Sequence, residues 1–217
     1  MLPLRIPASS REPEAIRHSY HQETNLTRRQ LLMWIGQKLQ PNAPDYSMGN
    51  LYWINGALDH ALLSQAVTRL VREADALRTV MREVDGVPFQ EVLPHIDASV
   101  ALHDLRGAAS AAEAAVEVAR AAQARVSRVL PMDRCPFDFA LFLLPGSRSA
   151  LYLNLHHILG DGWSLSLLYQ RLSDLYQEIE RGDGPSPSPL RDFHDYLPIE
   201  KAYAASAAHS EDEAWWS

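Results

Sequence analysis

Two apolar segments in the second half of the chain constrain its fold most strongly. Phe137 to Leu144 and Ala150 to Leu155 are rich in residues that favour β-structure, and Pro145-Gly146-Ser147-Arg148 joins them. Short apolar runs bounded by turn residues are typical of strands buried in a sheet. No apolar run in the chain approaches the roughly 20 residues needed to span a bilayer. We therefore predict two strands in the core of a globular lobe.

The rest of the chain mixes helical and strand patterns. Thr27 is a predicted N-cap, followed by an apolar stripe at spacings of three and four residues that Pro41 ends. Further predicted elements are a strand over 50–55, a helix from the N-cap Asp59 to about residue 79, a hairpin of 80–84 and 87–93, a strand over 100–105, and helices over 108–130 and 163–181. Because regular βαβ alternation is absent, the predicted fold class is α+β.

The composition suggests where one structural unit ends. Residues 1–182 hold all the strongly patterned elements and are predicted to form one lobe. Residues 183–189 are rich in Pro, Ser and Gly, which is typical of an extended linker. Residues 190–217 have a weakly helical pattern.

Charge and composition exclude some function classes. The formal net charge of −7 argues against a general nucleic-acid binder, which needs a basic face. The start, Met1 to Pro7, lacks the apolar stretch of a secretion signal, so we expect a cytoplasmic protein without membrane partners. The single Cys135 excludes an internal disulfide. With no His nearby in sequence, Cys135 is interpreted as a core or loop thiol rather than a nucleophile.

The segment with the most chemical information begins in the second apolar strand. Alternation along a strand places Leu151, Leu153, Leu155 and His157 on one face and His156 on the other. We therefore expect His157 to be buried beside the leucines. Burial disfavours the imidazolium, so His157 should be neutral at pH 7 and able to accept a proton.

The residues after the two histidines favour a shaped loop. Gly160 and Gly162 remove Cβ atoms and permit unusual backbone angles or close approach of a substrate. Asp161 either holds the loop through an arginine or caps the following helix.

Two simpler interpretations of the histidines remain open. One histidine can be a core residue and the other a surface residue, without any chemistry. A metal site formed by His156, His157, Asp161 and His194 is disfavoured, because neighbouring strand residues point apart. We predict no metal.

The pattern His156-His157-Ile158-Leu159-Gly160-Asp161-Gly162 resembles the signature of the condensation domains of nonribosomal peptide synthetases. This family belongs to a superfamily with chloramphenicol acetyltransferase. Leu26 to Trp34 resembles the family's opening motif, and Asp75 to Thr79 its second motif. Together these segments cover nearly the whole chain.

The resemblance implies a chloramphenicol-acetyltransferase-like lobe, a two-layer α/β sandwich with a mixed, largely antiparallel sheet. The family's domain has two similar lobes with a tunnel between them, so the resemblance implies a C-terminal lobe that is missing from this chain. Exposed apolar surface is expected where that lobe should sit. This chain departs from the family's pattern in the second motif, where Glu73-Ala74-Asp75 replaces the common Arg-His-Glu.

The resemblance also implies an acyltransferase. A carrier-bound or CoA-bound acyl thioester reacts with the α-amine of an amino acid on a second carrier protein. Phosphopantetheine arms of donor and acceptor peptidyl carrier proteins hold the substrates, and the domain itself binds no cofactor. If Met1 is the native start, the donor arrives from another protein or as an acyl-CoA, and the altered second motif fits a starter-type domain.

The implied residue roles follow the motif. His157 is the catalytic residue. The supporting residues are His156, Gly160, Asp161 and Gly162, with Arg78 as a candidate partner of Asp161, and the tunnel candidates are Trp163 and Ser164. Alternative functions are an epimerisation domain, another carrier- or CoA-dependent acyltransferase, and a lobe that only binds carrier proteins.

Overall fold

The computed structural model describes residues 24–184 and 186–216. Outside them lie residues 1–23 of the predicted lobe, including the predicted start Met1 to Pro7. Pro185 of the predicted linker and Ser217 of the predicted helical segment lie outside them too. The helices and strands are α1 (Arg28–Leu39), β1 (Ser47–Ile54), α2 (His60–Glu73), β2 (Thr79–Val84), β3 (Val87–Val92), β4 (Val100–Asp104), α3 (Ala111–Val126), β5 (Phe137–Leu144), β6 (Arg148–His156), α4 (Gly162–Arg181), α5 (Tyr196–Ala204) and α6 (Ala207–Trp216).

The two apolar segments form the centre of a four-stranded sheet with the order β1-β6-β5-β4. β5 and β6 pair antiparallel, with Phe137 opposite Leu155, and β1 pairs antiparallel with β6. β4 pairs parallel with β5. The turn between β5 and β6 needs a positive φ at Gly146, where glycine is favoured. The predicted α+β class and mixed, largely antiparallel sheet are confirmed.

The sheet is covered by helices on both faces. Leu151, Leu153 and Leu155 are buried in one core cluster with the apolar residues of α2 and α4. Ala150 and Tyr152 point to the other face and pack in a second cluster with α3. The second face of the central strands is also apolar, so it needs the helix α3 as a cover.

β2 and β3 form a separate hairpin through the Asp85-Gly86 turn, as the sequence predicts. Capping at Thr27 and Asp59 is also confirmed by their side-chain hydrogen bonds to the first turns of α1 and α2.

The helix predicted to reach residue 79 ends earlier. α2 stops at Glu73, and a 3-10 turn covers Asp75–Arg78. The buried carboxylate of Asp75 accepts hydrogen bonds from the backbone N–H groups of Phe193 and His194. The break in the helix thus places Asp75 where it holds the segment that follows the predicted linker.

The C-terminal segment is helical, as predicted, and carries α5 and α6 after a 3-10 turn at Phe193–Asp195. Its large apolar side chains are exposed, with Trp215 at 75%, Trp216 at 80% and Ile199 at 62%. No helix of the described residues is long and apolar enough to cross a membrane.

A buried arginine ties α2, α4 and the predicted linker together. Arg171, 3% exposed, donates two hydrogen bonds to the carboxylate of Glu73, at 2.7 and 2.9 Å. It also contacts Glu178 at 3.1 Å and donates to the Ser186 hydroxyl at 3.1 Å. Glu73 is one of the positions where the second motif departs from the family pattern, and here its carboxylate has a structural partner.

The Arg171 cluster gives a stability prediction. Removing one partner of a buried ion pair leaves uncompensated charge, so Arg171→Met should lower the free energy of unfolding by about 3 kcal/mol. Chemical denaturation measures this change. Arg120→Met is the matched control, because Arg120 forms an exposed pair with Glu117 and its replacement should lower the stability far less. Equal losses in the two variants would contradict the role of Arg171.

Candidate active site

The site forms where β6 leaves the sheet. The strand ends at His156, a 3-10 turn covers His157–Leu159, and Gly162 begins α4. Backbone hydrogen bonds hold this exit on both sides: the N–H of His156 donates to the carbonyl of Pro136 and that of His157 to the carbonyl of Tyr46. The two histidines therefore have fixed backbones but lie in different environments.

His156 is the buried histidine. It is 1% exposed, and its ring stacks on Tyr46 with a centroid distance of 5.8 Å. Its Nδ1 accepts a hydrogen bond from the Ile158 N–H at 3.1 Å, so the proton of the neutral ring lies on Nε2. Nε2 is 3.3 Å from Oε1 of Gln37 and donates to it. Burial, with a smaller effect of His157, lowers the pKa of His156 to about 4.

His157 has the opposite arrangement. Its Nδ1 lies 2.8 Å from the carbonyl oxygen of Gly160. A carbonyl only accepts, so Nδ1 carries the proton and Nε2 presents a lone pair. His157 is half-buried and lines a cavity of about 300 Å³. Each histidine is thus fixed by the turn in a different tautomer.

The expected burial of His157 is wrong, and it applies to His156 instead. The strand ends one residue earlier than the alternation pattern assumed, and the backbone turns at His157. His157 therefore leaves the leucine face and reaches the cavity. His156 remains in the strand, where it is buried against Tyr46 and Gln37.

Asp161 is the N-cap of α4. Its carboxylate accepts hydrogen bonds from the N–H and the hydroxyl of Ser164, both at 2.9 Å, and the Ser164 hydroxyl accepts from the Asp161 N–H. The backbone and side-chain bonds from Ser164 hold the pKa of Asp161 below its usual value. Of the two roles considered for Asp161, helix capping is the one formed.

The predicted pairing of Arg78 with Asp161 is not formed. The guanidinium of Arg78 instead donates to the carbonyls of Val71, at 3.1 Å, and Leu93, at 2.7 Å. Arg78 sits at the end of the 3-10 turn after α2, where it joins α2 to the residue that follows β3. Its role among the described residues is to hold these elements together.

The two glycines of the loop differ. A Cβ on Gly160 would lie 2.7 Å from Cβ of Ser164 and 2.8 Å from its hydroxyl, so the close approach of the Asp161 cap requires glycine there. A Cβ on Gly162 would meet no atom within 4 Å. Gly160 is thus explained by packing within this lobe, whereas the space beside Gly162 is open.

The two residues predicted to line the tunnel, Trp163 and Ser164, lie in different environments. Ser164 belongs to the helix cap and lines the His157 cavity. Trp163 is 74% exposed and is not among the residues that line that cavity. The C-terminal segment contributes Phe193, Tyr196 and Glu200 to the cavity wall.

Sequence reasoning assigned no site role to the glutamines that support the turn. Gln37 is 6% exposed and contacts His156, while its amide N–H group donates to the carbonyls of Gln40 and Ala43. Gln30 is 4% exposed and donates to the carbonyl of Ile158 at 3.2 Å. The sequence did contain one signal for such a role: a glutamine lies on the predicted buried side of α1. A buried side-chain amide needs hydrogen-bond partners, so it indicates a polar contact inside the protein.

The other candidate groups lie elsewhere. His194, considered as a metal ligand, contacts the carboxylate of Asp75 at 3.1 Å. The described residues contain no group of three or more His, Cys, Asp and Glu placed to hold a metal ion. Cys135 is half-buried, and burial raises the pKa of its thiol, which makes it a poor nucleophile.

Solved structures share this architecture. The first condensation domain of the calcium-dependent antibiotic synthetase, in complex with a substrate analogue, matches with a TM-score of 0.82 and 31% identity. The match covers 88% of this chain and 46% of that domain. A variant of the starter condensation domain of the rhizomide synthetase RzmA, in complex with C8-CoA, matches with a TM-score of 0.79 and 26% identity, over 88% of this chain and 44% of that one. The fold is that of the chloramphenicol-acetyltransferase-like lobe.

Curated relatives point to the same class. Phosphinothricin tripeptide synthetase PhsB of Streptomyces viridochromogenes is 32% identical over 193 residues, which are 88% of this chain and 16% of the relative. A dimodular nonribosomal peptide synthase of Bacillus subtilis is 27% identical over 193 residues, which are 88% of this chain and 8% of the relative. The family model for the condensation domain matches residues 20–217. The chain therefore belongs to the condensation-domain family, and it spans less than half of each of the two solved domains named above.

The buried His156 predicts a pH dependence of stability. The unfolded chain binds a proton below about pH 6.5, whereas folded His156 binds one only near pH 4. The unfolded state therefore holds more protons between these values, and the free energy of unfolding should fall by roughly 3 kcal/mol as the pH drops through this window. Denaturant titrations across the window measure the fall.

His156→Gln should remove this component of the pH dependence. His95→Ala is the control, because the side chain of His95 is 56% exposed, and it should leave the component intact. A slope unchanged by His156→Gln would show that another group is responsible.

Proposed function

We propose that this chain supplies the catalytic histidine for amide-bond formation between an acyl thioester and the α-amine of a carrier-bound amino acid. The observation that carries the proposal is the position of the His157 ring, whose Nδ1 lies 2.8 Å from the carbonyl oxygen of Gly160. Its Nδ1 proton is held by the Gly160 carbonyl, so the Nε2 lone pair is available at the cavity. Membership of the condensation-domain family supports the reaction type.

In the proposed reaction, the neutral α-amine attacks the carbonyl carbon of the thioester. The C–N bond forms, and a tetrahedral intermediate develops with a positively charged nitrogen. His157 Nε2 takes one proton from this nitrogen as the intermediate collapses and the C–S bond breaks. The imidazolium then returns that proton to the departing thiolate, so the products are an amide and a free thiol.

The proposed reaction does not require His157 to be a strong base. An α-amine with a pKa near 8 is partly neutral at pH 7, so attack does not need a strong base. The positioned base acts mainly on the intermediate, whose proton must leave before the amide forms. A hydrogen bond from Nδ1 to a backbone carbonyl orients the ring and stabilises the imidazolium that forms transiently.

The neighbouring side chains of His156 and Asp161 support this assignment, because their polar atoms already have hydrogen-bond partners in the protein. Both nitrogens of His156 have partners in the protein, and its lowered pKa keeps it neutral. The carboxylate of Asp161 is engaged by Ser164 in the helix cap. Of these three side chains, His157 is the one that lines the cavity and has a basic nitrogen with no partner among the described residues.

The same proposal includes three partners, which are a C-terminal lobe, a donor carrier protein and an acceptor carrier protein. Solved relatives span about twice the length of this chain, so we place the other half of the site on a C-terminal lobe. The exposed apolar side chains of α5 and α6 are available to contact it. Donor and acceptor carrier proteins deliver the substrates on phosphopantetheine arms. The donor is carrier-bound or CoA-bound, and a structural relative in complex with C8-CoA supports the second form.

The test uses the chain together with a C-terminal condensation lobe, an acyl-loaded donor carrier and an aminoacyl-loaded acceptor carrier. Intact-protein mass spectrometry should detect an amide on the acceptor. Because His157 provides the base, His157→Ala should slow product formation by about 100-fold or more. His95→Ala, a surface substitution, should react at the wild-type rate.

Near-normal turnover by His157→Ala would contradict the catalytic assignment. Deuterium incorporation at the α-carbon of a single aminoacyl-carrier, with no amide formed, would identify an epimerisation domain instead. Carrier binding without product in the presence of the second lobe would identify a binding module.

A further inference from the structure

A buried hydrogen-bond network connects the β2–β3 hairpin to the histidine turn. Its centre is Gln30 in the first turn of α1, and its second member is Gln90 in β3; each is 4% exposed. The two side-chain amides lie against each other, with both N-to-O distances at 3.2 Å. Gln30 Nε2 also donates to the carbonyl of Ile158 at 3.2 Å. The network therefore ends within the turn that carries His157.

Every polar atom of the Gln30 side chain is used. Its Oε1 accepts from the Thr27 N–H at 3.0 Å and from Gln90, and its Nε2 donates to Ile158 and Gln90. Asn25 anchors Gln90 in turn through its backbone carbonyl and its side-chain amide. A network that is buried and fully satisfied is rigid, because any displacement leaves an unpaired polar group.

The bond to Ile158 lies between the two hydrogen bonds that fix the histidine rings. Ile158 lies between His157 and Leu159, and its N–H donates to Nδ1 of His156. The next bond along the turn runs from His157 Nδ1 to the carbonyl of Gly160. Gln30 thus holds the peptide group that follows Ile158, at the centre of the turn. Rotation of this peptide would disturb the orientation and the tautomer of His157.

We propose that Gln30 is a positioning residue for the reaction, and that Gln90 makes the β2–β3 hairpin part of the support of the site. Gln30 acts through the Ile158 carbonyl and fixes the ring of His157 with its Nε2 towards the cavity. The kinetic part of this inference rests on the proposed function. The structural part concerns the chain itself and needs no substrate.

The first measurement is made on the chain as it exists. The imidazole ¹⁵N chemical shifts report which nitrogen of each histidine carries the proton. In the wild type, His157 should show protonated Nδ1. In Gln30→Leu and Gln30→Glu, neither of which donates to the Ile158 carbonyl, the signals should move towards the averaged shifts of an exposed imidazole. Thr79→Val is the matched control, because it removes a buried hydrogen bond to the carbonyl of Asp75, which is outside the network.

The second measurement is the rate of amide formation with the C-terminal lobe and loaded carriers. Misplacing a reacting group by about 1 Å can cost about 100-fold in rate. We expect Gln30→Leu to lower kcat by about 10- to 100-fold and to change KM by less than about twofold, whereas Thr79→Val should leave kcat within about twofold of the wild type. Gln90→Leu should shift the His157 signals in the same direction as Gln30→Leu, since it removes the second member of the network.

Variants that lose stability are compared without denaturant, at a temperature where circular dichroism shows them folded. Unchanged ¹⁵N shifts of His157 in folded Gln30→Leu would overturn the inference, whatever the activity. Shifts that move equally in Thr79→Val would assign the effect to general loosening and also overturn it. If the wild type forms no amide while Gln30→Leu still shifts the His157 signals, the proposed function fails and the positioning role stands.

Discussion

The arrangement of the site depends on the hydrogen bonds that the backbone of residues 158–160 makes with the two histidine rings. The Ile158 N–H donates to Nδ1 of His156, and the Gly160 carbonyl accepts from Nδ1 of His157. Two adjacent residues of the same type are thereby given opposite tautomers. The buried ring donates through Nε2 to Gln37 and is stabilised as a neutral group, while the half-buried ring keeps a free lone pair. Backbone geometry, rather than a charged neighbour, selects the histidine that can accept a proton.

The fold supplies this turn with a rigid origin. β6 lies at the centre of the sheet and is buried along nearly its whole length, because both of its faces are covered by helices. The turn then begins at the end of β6, where this strand lies beside α1 and β1. Asp161 starts α4 through its bonds to Ser164, and the close approach of Ser164 explains the glycine at position 160. The loop is therefore held at its beginning by a sheet and at its end by a helix cap.

Much of the fold could be predicted from the sequence, because its signals are local. The apolar segments gave the central strands, Asp85-Gly86 gave the hairpin, and Thr27, Asp59 and Asp161 gave helix caps. The arrangement of the site was harder to predict from the sequence. Strand alternation assigned burial to His157 because it could not reveal that the strand stops at His156. Arg78 was matched to Asp161 by charge, whereas its partners are backbone carbonyls that only the tertiary structure brings near. The supporting glutamines were missed for the same reason: Gln30 and Ile158 are 128 residues apart in sequence.

The opposite tautomers of His156 and His157 are the central claim of this account, and ¹⁵N NMR of the wild-type chain at neutral pH tests it most directly. The chain has nine histidines, so spectra of His156→Gln and His157→Gln assign the two sets of signals. The account predicts that His156 carries its proton on Nε2 and that His157 carries its proton on Nδ1. A proton on Nε2 of His157 would contradict it, because the atom proposed to accept the proton in amide formation would already be occupied.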